Sequence, residues 1–204
     1  TGKTPVVEMF AKALIKGGRK IAILSRGYQH GRVRNKSRPQ VRVVSDGKKI
    51  LLNVNASGDE PFMLAKNVPQ AVVLAGKDRV HSARFAITEY GADTIILDDG
   101  YQYLDLARQI NIVLIDATNP FGIQYLLPRG TLREPISNLD RATMFFLTKA
   151  EGMDLYALKK KLNRINPKAE IIECTHTPKY LNDVYSRTKR DIKWLAGRKI
   201  ACVS

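Results

Sequence analysis

Cysteine is nearly absent from this sequence, which has only Cys174 and Cys202 among 204 residues. Neither has a metal-ligand spacing, so a disulfide-stapled scaffold and a cysteine-built metal centre are both excluded. The pair suits a reducing compartment, and each thiol reads as a buried strand residue. Long apolar runs are also missing. None approaches the roughly 18 residues of a membrane-spanning helix, and no signal peptide is visible. Acidic residues are scarce, 19 against 34 lysines and arginines, which leaves a formal net charge of +15. That surplus favours an anionic partner: a phosphorylated substrate, an acidic lipid headgroup or nucleic acid. Nucleic acid is the weaker of these, because residues 32–42 are basic yet contain no aromatic side chain on which a base could stack.

What is present fits one α/β domain, with 44% hydrophobic and 26% charged residues. No internal repeat or low-complexity segment appears. The positive charge is clustered. Arg26, Arg32, Arg34, Lys36, Arg38 and Arg42 surround Gly27 and Gly31 with no carboxylate among them, a loop suited to a functional role. Lys159, Lys160, Lys161 and Arg164, and then Arg187, Lys189 and Arg190, read as solvated faces.

The chain opens Thr1-Gly2-Lys3-Thr4-Pro5 and continues as a helical run to Gly17-Gly18. Gly-Lys-Thr at a helix start is the last third of a phosphate-binding loop. Backbone amides there point at phosphate oxygens, and the helix dipole favours anions. Lys3 would reach the β- and γ-phosphates and the Thr4 hydroxyl would sit on Mg²⁺. The competing reading is an ordinary helix start, with Thr4 as N-cap and Pro5 in the first turn. Val6, Val7, Phe10, Ala13 and Leu14 form the expected buried face. The loop's first glycine and its preceding strand are not in the sequence, so the true N-terminus, and any anchor it carries, is expected upstream.

Apolar runs at Lys20–Leu24, Ala71–Ala75, Thr94–Leu97, Ile110–Asp116, Thr143–Thr148 and Glu170–Cys174 read as strands. Helices are expected at Phe62–Lys66, Val80–Tyr90 and Asp154–Asn166, an alternation that argues for parallel βαβ units. Val41–Val44 and Ile50–Leu52 flank Asp46-Gly47 as a hairpin. The tail from Arg198 begins another strand. Asp98-Asp99-Gly100 after an apolar strand has the form of a Walker B element, whose carboxylates attract a metal. On pattern alone Asp59 caps the helix that follows it. Ala117–Pro135 is a long irregular segment, a length that points to function or disorder.

In order, these pieces resemble the tetraacyldisaccharide 4′-kinase family of lipid A biosynthesis. The matching stretches are Thr1–Pro5, Leu24-Ser25-Arg26-Gly27-Tyr28, Gly58-Asp59-Glu60-Pro61, Asp98–Tyr103, and Leu127–Gly130 with Leu132–Pro135. The resemblance implies one P-loop kinase domain over residues 1–204, lacking both ends. Its mostly parallel sheet would carry flanking helices, a hairpin insertion at about 40–55 and the start of a C-terminal part at about 150–204. It implies ATP and Mg²⁺ as cofactors and transfer of the γ-phosphoryl to the 4′-hydroxyl of a tetraacyldisaccharide 1-phosphate, giving lipid IVA. The partners would be that lipid A precursor and an anionic membrane surface, with no nucleic acid. The work would be done at the cytoplasmic face of a Gram-negative inner membrane.

The resemblance also implies roles for single residues. Thr1, Gly2, Lys3, Thr4 and Pro5 would bind nucleotide, and Thr4 and Asp98 the metal. Asp59 and Asp99 would be catalytic, with Asp59 as the base rather than a cap. Arg26, Arg79, Gln102 and Arg133 would handle substrate or phosphate. Tyr103 stands where the family has histidine, and none of His30, His81 or His176 sits where the family's C-terminal histidine lies. As a fragment the chain is expected to be poorly active. The rival within enzymes is a P-loop phosphotransferase acting on a soluble anionic metabolite.

Overall fold

Alternation of side chains along two apolar strands sets the layering. The computed structural model describes residues 2–27, 41–175, 177–183, 185–186 and 188–201. Strand β1 (Ile21–Ser25) is buried along its whole length. Its odd-numbered residues Ile21 and Ile23 face one core and Ala22 and Leu24 face another, as the period of two requires. Strand β3 (Val72–Ala75) does the same, with Val73 and Ala75 on the first side and Val72 and Leu74 on the second.

Helix α1 (Lys3–Lys16) and helix α3 (Asp59–Asn67) cover the first face through Ala11, Leu64 and Ala65. Helix α4 (Arg79–Tyr90) covers the second through Ala83 and Ala86. A strand covered on both faces has to be apolar throughout, which is why β1 and β3 read as continuous hydrophobic runs. The face expected for α1 is partly right. Val7 and Leu14 pack on the core, but Ala11 is its fully buried contact and Ala13 is exposed.

Strand β4 (Thr94–Leu97) pairs parallel to β1, and β1 pairs parallel to β3. Strand β2 (Arg42–Asp46) joins the edge antiparallel to β3, giving the order β2-β3-β1-β4. The expected hairpin forms, with its second arm reduced to one antiparallel bridge between Ser45 and Ile50. Its turn is held by the Asp46 carboxylate, which accepts from the Lys48 and Lys49 amides at 2.9 and 2.8 Å, and by Gly47 at φ 82°. A short helix α2 (Val54–Ser57), capped by Asn53, leads into α3.

The parallel strands divide between two sheets rather than forming one. Strands β5 (Ile112–Asp116), β6 (Met144–Thr148) and β7 (Glu170–Cys174) form a second parallel sheet in that order. Helix α5 (Tyr156–Ile165) packs Leu162 against Phe145 and Leu147 on it. On the other face Phe146 meets the Phe10 ring of α1 at 6.0 Å, so α1 touches both sheets. The buried Asn166 amide donates to the Leu139, Asp140 and Ala142 carbonyls, tying the end of α5 to the 3₁₀ turn Ile136–Arg141. Cys174, at the end of β7, is partly buried, and burial pushes its thiol up. Strands β8 (Leu181–Asn182) and β9 (Lys189–Arg190) make a two-residue antiparallel pair. Residues 198–201 are not in a strand, contrary to expectation, while Cys202, His30 and His176 lie outside the described residues.

Leu147 is fully buried at the centre of the second core. Truncating a buried leucine removes transfer free energy and leaves a cavity. Leu147→Ala is expected to lower unfolding stability by about 2–5 kcal/mol, read as a shift of the urea midpoint with unchanged slope.

Candidate active site

The carboxyl ends of β1, β3 and β4 lie side by side, because these strands run parallel in register. Open α/β sheets collect ligands at that edge. Three pieces converge there: the start of α1, the turn after β4, and the last residues of the long segment between β5 and β6.

Helix α1 begins at Lys3. Its N-cap is Gly2 in the left-handed region, φ 79° and ψ 15°, with no side-chain cap. Thr4 is therefore the second helical residue, not the cap, and Pro5 sits exposed in the first turn where a missing N–H costs nothing. Leaving the first amides of α1 without a side-chain acceptor keeps them available to an anion. Thr1 lies outside the described residues.

After β4 the Asp98 amide donates to the Leu24 carbonyl at 3.0 Å, which fixes the start of the turn on β1. Asp99 follows at φ 50°, an unusual backbone state for a non-glycine residue. Its carboxylate accepts from Lys3 Nζ at 2.6 Å through Oδ1 and from Arg133 at 2.7 Å through Oδ2. Residues 96 apart in sequence are thus joined. Gly100 is sterically required, since a Cβ there would lie 2.4 Å from Leu97 Cβ. Arg108 donates to the Gly100 carbonyl and closes the turn. The Gln102 amide donates to the Arg133 carbonyl at 3.3 Å.

Arg79, the first residue of α4, is 3% exposed and donates to the Asp98 carbonyl at 3.1 Å and the Leu24 carbonyl at 3.4 Å. Its backbone amide donates to the Tyr103 hydroxyl at 3.1 Å, and its guanidinium lies 5.9 Å from the Tyr103 ring centroid. Burial lowers the Arg79 pKa, the charges of Asp98 and Asp99 oppose that, and Arg26 adds to the lowering. Arg26 itself is exposed. The glycine after it, at φ 62°, has no room for a side chain: a Cβ would lie 2.5 Å from the Arg42 guanidinium and 2.9 Å from Ala75 Cβ.

The two aspartates differ sharply. Asp98 is 4% exposed. Burial pushes its carboxyl above the ordinary 3.8, Glu60 and Asp99 push the same way, and Lys3 and Arg79 pull back without cancelling. At Asp99 burial also pushes up, but the hydrogen bonds and charges of Lys3 and Arg133 outweigh it and the net shift is down. Adjacent carboxyls held apart in this way suit different tasks.

Asp59 is the first residue of α3 and is exposed. Gly58, at φ 90°, takes the N-cap position, so Asp59 caps nothing. The charge of its neighbour Glu60 helps to raise the Asp98 carboxyl. Contacts join Lys3, Asp99, Arg133 and Gln102 in one set and Arg79 to the Asp98 backbone beside it, with Gly2 and Thr4 flanking Lys3 and Arg26 following the end of β1. Among the described contacts none joins Asp59 to this set. Sequence reasoning missed Glu60, although it adjoins Asp59, and it missed Arg108, which carries no motif. Tyr103, which stands where the family has histidine, accepts from the Arg79 backbone amide through its hydroxyl.

The family model for tetraacyldisaccharide-1-P 4′-kinase matches residues 1–204. The chain belongs to the tetraacyldisaccharide 4′-kinase family. It is 40% identical over 206 residues to the tetraacyldisaccharide 4′-kinase of Anaeromyxobacter sp. (strain K), covering 100% of this chain and 53% of that protein. To the kinase of Halothermothrix orenii it is 37% identical, covering 100% and 55%. A crystal structure of the Aquifex aeolicus kinase of this family in complex with ATP superposes with a TM-score of 0.72 at 27% identity, over 98% of this chain and 57% of that one. The chain spans about half the length of the family members it matches. Its α/β architecture, with parallel sheets and flanking helices, is of the P-loop type.

The raised pKa of Asp98 has a stability consequence. The native carboxyl holds its proton more tightly than the unfolded one, so the unfolded chain ionises first as pH rises past 3.8. Stability then declines until the folded pKa is passed, and at neutral pH the buried charge is a cost. Asp98→Asn is expected to raise the Tm of the ligand-free chain at pH 7, by about 2–4 °C per kcal/mol relieved. The gain should shrink below about pH 4. Calorimetry across pH checks this.

Proposed function

We propose that this chain is the nucleotide-binding half of a kinase that transfers the γ-phosphoryl of ATP to the 4′-hydroxyl of a tetraacyldisaccharide 1-phosphate. The observation that carries the reading is the contact of Lys3 with Asp99. It joins an uncapped helix start to a strand-end acidic pair, which supports reading the two as a phosphate and metal site.

In this reading the free first amides of α1 and Lys3 receive the β- and γ-phosphates. The Asp99 carboxylate holds Lys3 and Arg133 in place of an anion, and an incoming triphosphate takes over those cations. Asp98 and Thr4 fit Mg²⁺. No cluster of three or more His, Cys, Asp or Glu side chains forms among the described residues. Mg²⁺ asks only for one or two carboxylates, with phosphate and water completing its shell. When bound, the ion neutralises charge on the transferring phosphoryl.

Asp59, exposed at the start of α3 with its carboxylate uncommitted to a cap, serves as general base for the sugar hydroxyl. Arg133, Arg79 and Arg26 supply positive charge: Arg133 toward the transferring group, Arg79 by fixing the Asp98 backbone, and exposed Arg26 toward the substrate phosphate. The excess of 34 cationic over 19 anionic side chains suits a lipid phosphate at an anionic membrane. The site of action is the cytoplasmic face of the bacterial inner membrane. No helix among the described residues is long and apolar enough to cross it.

The test uses the full-length protein with ATP and detergent-dispersed tetraacyldisaccharide 1-phosphate. Wild type should form the 4′-phosphate. Asp59→Ala should lower kcat by about 10²–10⁴-fold with ATP affinity nearly unchanged. Wild-type turnover in that variant removes Asp59 from the role, and no phosphoryl transfer by the wild type overturns the kinase assignment.

A further inference from the structure

The long segment between β5 and β6 has two ends with opposite character. At residue 133 it places a guanidinium on Asp99. Ten residues earlier it turns apolar side chains outward: Ile123 is 63% exposed and Leu127 62%, with Tyr125 and Leu126 also exposed between them. Residues 117–133 contain no carboxylate. Arg129 lies 3.8 Å over the Tyr125 ring, a cation set beside an exposed aromatic.

This apolar tip abuts the solvent face of α5. Lys161 donates to the Gln124 side chain at 3.1 Å and lies 4.5 Å over the ring of buried Phe121. On the helix, Lys161 is three and four residues from Arg164 and Ala157, so it sits at the margin of the exposed face. That face carries Tyr156, 70% exposed, with Lys160 over its ring at 5.7 Å, then Asn163 and Arg164. From Leu155 to Ala169 there is no acidic residue. Lys159 is paired with Glu173 and stands apart from this set.

We propose that the tip at 123–127 and the solvent face of α5 together form a bilayer-docking surface for anionic phospholipid. The chemistry is that of an interfacial amphipathic surface: aliphatic and tyrosine side chains enter the headgroup boundary while lysine and arginine meet lipid phosphates. The sequence alone reads Lys159–Arg164 as a solvated face. The exposed apolar tip beside it gives that charge an occupant. The proposal rests on the kinase reading for its purpose, since one segment then joins the membrane surface to the Asp99 centre and brings an acylated sugar toward it.

The experiment measures partition of the full-length protein onto phosphatidylcholine vesicles with and without phosphatidylglycerol. In parallel it measures turnover on detergent-dispersed substrate. Lys160→Gln with Arg164→Gln should weaken binding to phosphatidylglycerol vesicles by about 30-fold, from two basic side chains at about 1 kcal/mol each. That loss should vanish at high salt. Ile123→Asn should weaken binding at both low and high salt. Turnover in detergent should stay at the wild-type level for both variants. Wild-type partition in either variant overturns the docking surface. Vesicle binding by a wild type that transfers no phosphate would instead count against the kinase reading and leave the surface standing.

Discussion

One carboxylate shared by two cations holds the site together. Asp99 takes Lys3 from the start of α1 on one oxygen and Arg133 from the β5–β6 connection on the other. Three stretches far apart in sequence meet at a single side chain. The partners are about two-fifths exposed or more, so the pairs add little to folding stability. Their importance is geometric: they bring the helix start, the strand end and the long connection to one point.

Behind this exposed knot lies a buried one. Arg79 and Asp98 are both nearly inaccessible, and the arginine reaches the Asp98 backbone carbonyl rather than a carboxylate oxygen. The Asp98 carboxylate therefore stays available instead of being consumed in an internal pair, at the expense of a charge held in poor solvent. A fold that tolerates this gives up stability at one point to keep a carboxylate uncommitted at the strand edge.

Much of this was legible in the sequence because the signals are local. Strands β1, β3 and β6 announce themselves as apolar runs, and α4 by its terminal Gly91. The Gly-Lys-Thr and Asp-Asp-Gly motifs are short and contiguous. What stayed hidden depends on contacts between distant segments. The division of the parallel strands into two sheets leaves no mark in any one strand. The start of α3 at Asp59 rather than after it turns on Gly58 adopting φ 90°, a conformation the sequence permits but does not demand. Asn166 looks like a helix-ending polar residue, yet it is a buried clamp on three carbonyls. The second arm of the hairpin shrinks to one bridge because Ile50 and Leu51 stay exposed, with no core to bury.

The glycine of Asp-Asp-Gly shows how packing can imitate chemistry. Leu97, three residues back on β4, fills the space any side chain at 100 would need. The chain cannot turn past the two aspartates with a side chain at this position. A signature assembled for its reactive letters thus contains one that makes room. Anyone transplanting the acidic pair into another scaffold must carry the leucine–glycine fit along with it, or the carboxylates will point elsewhere.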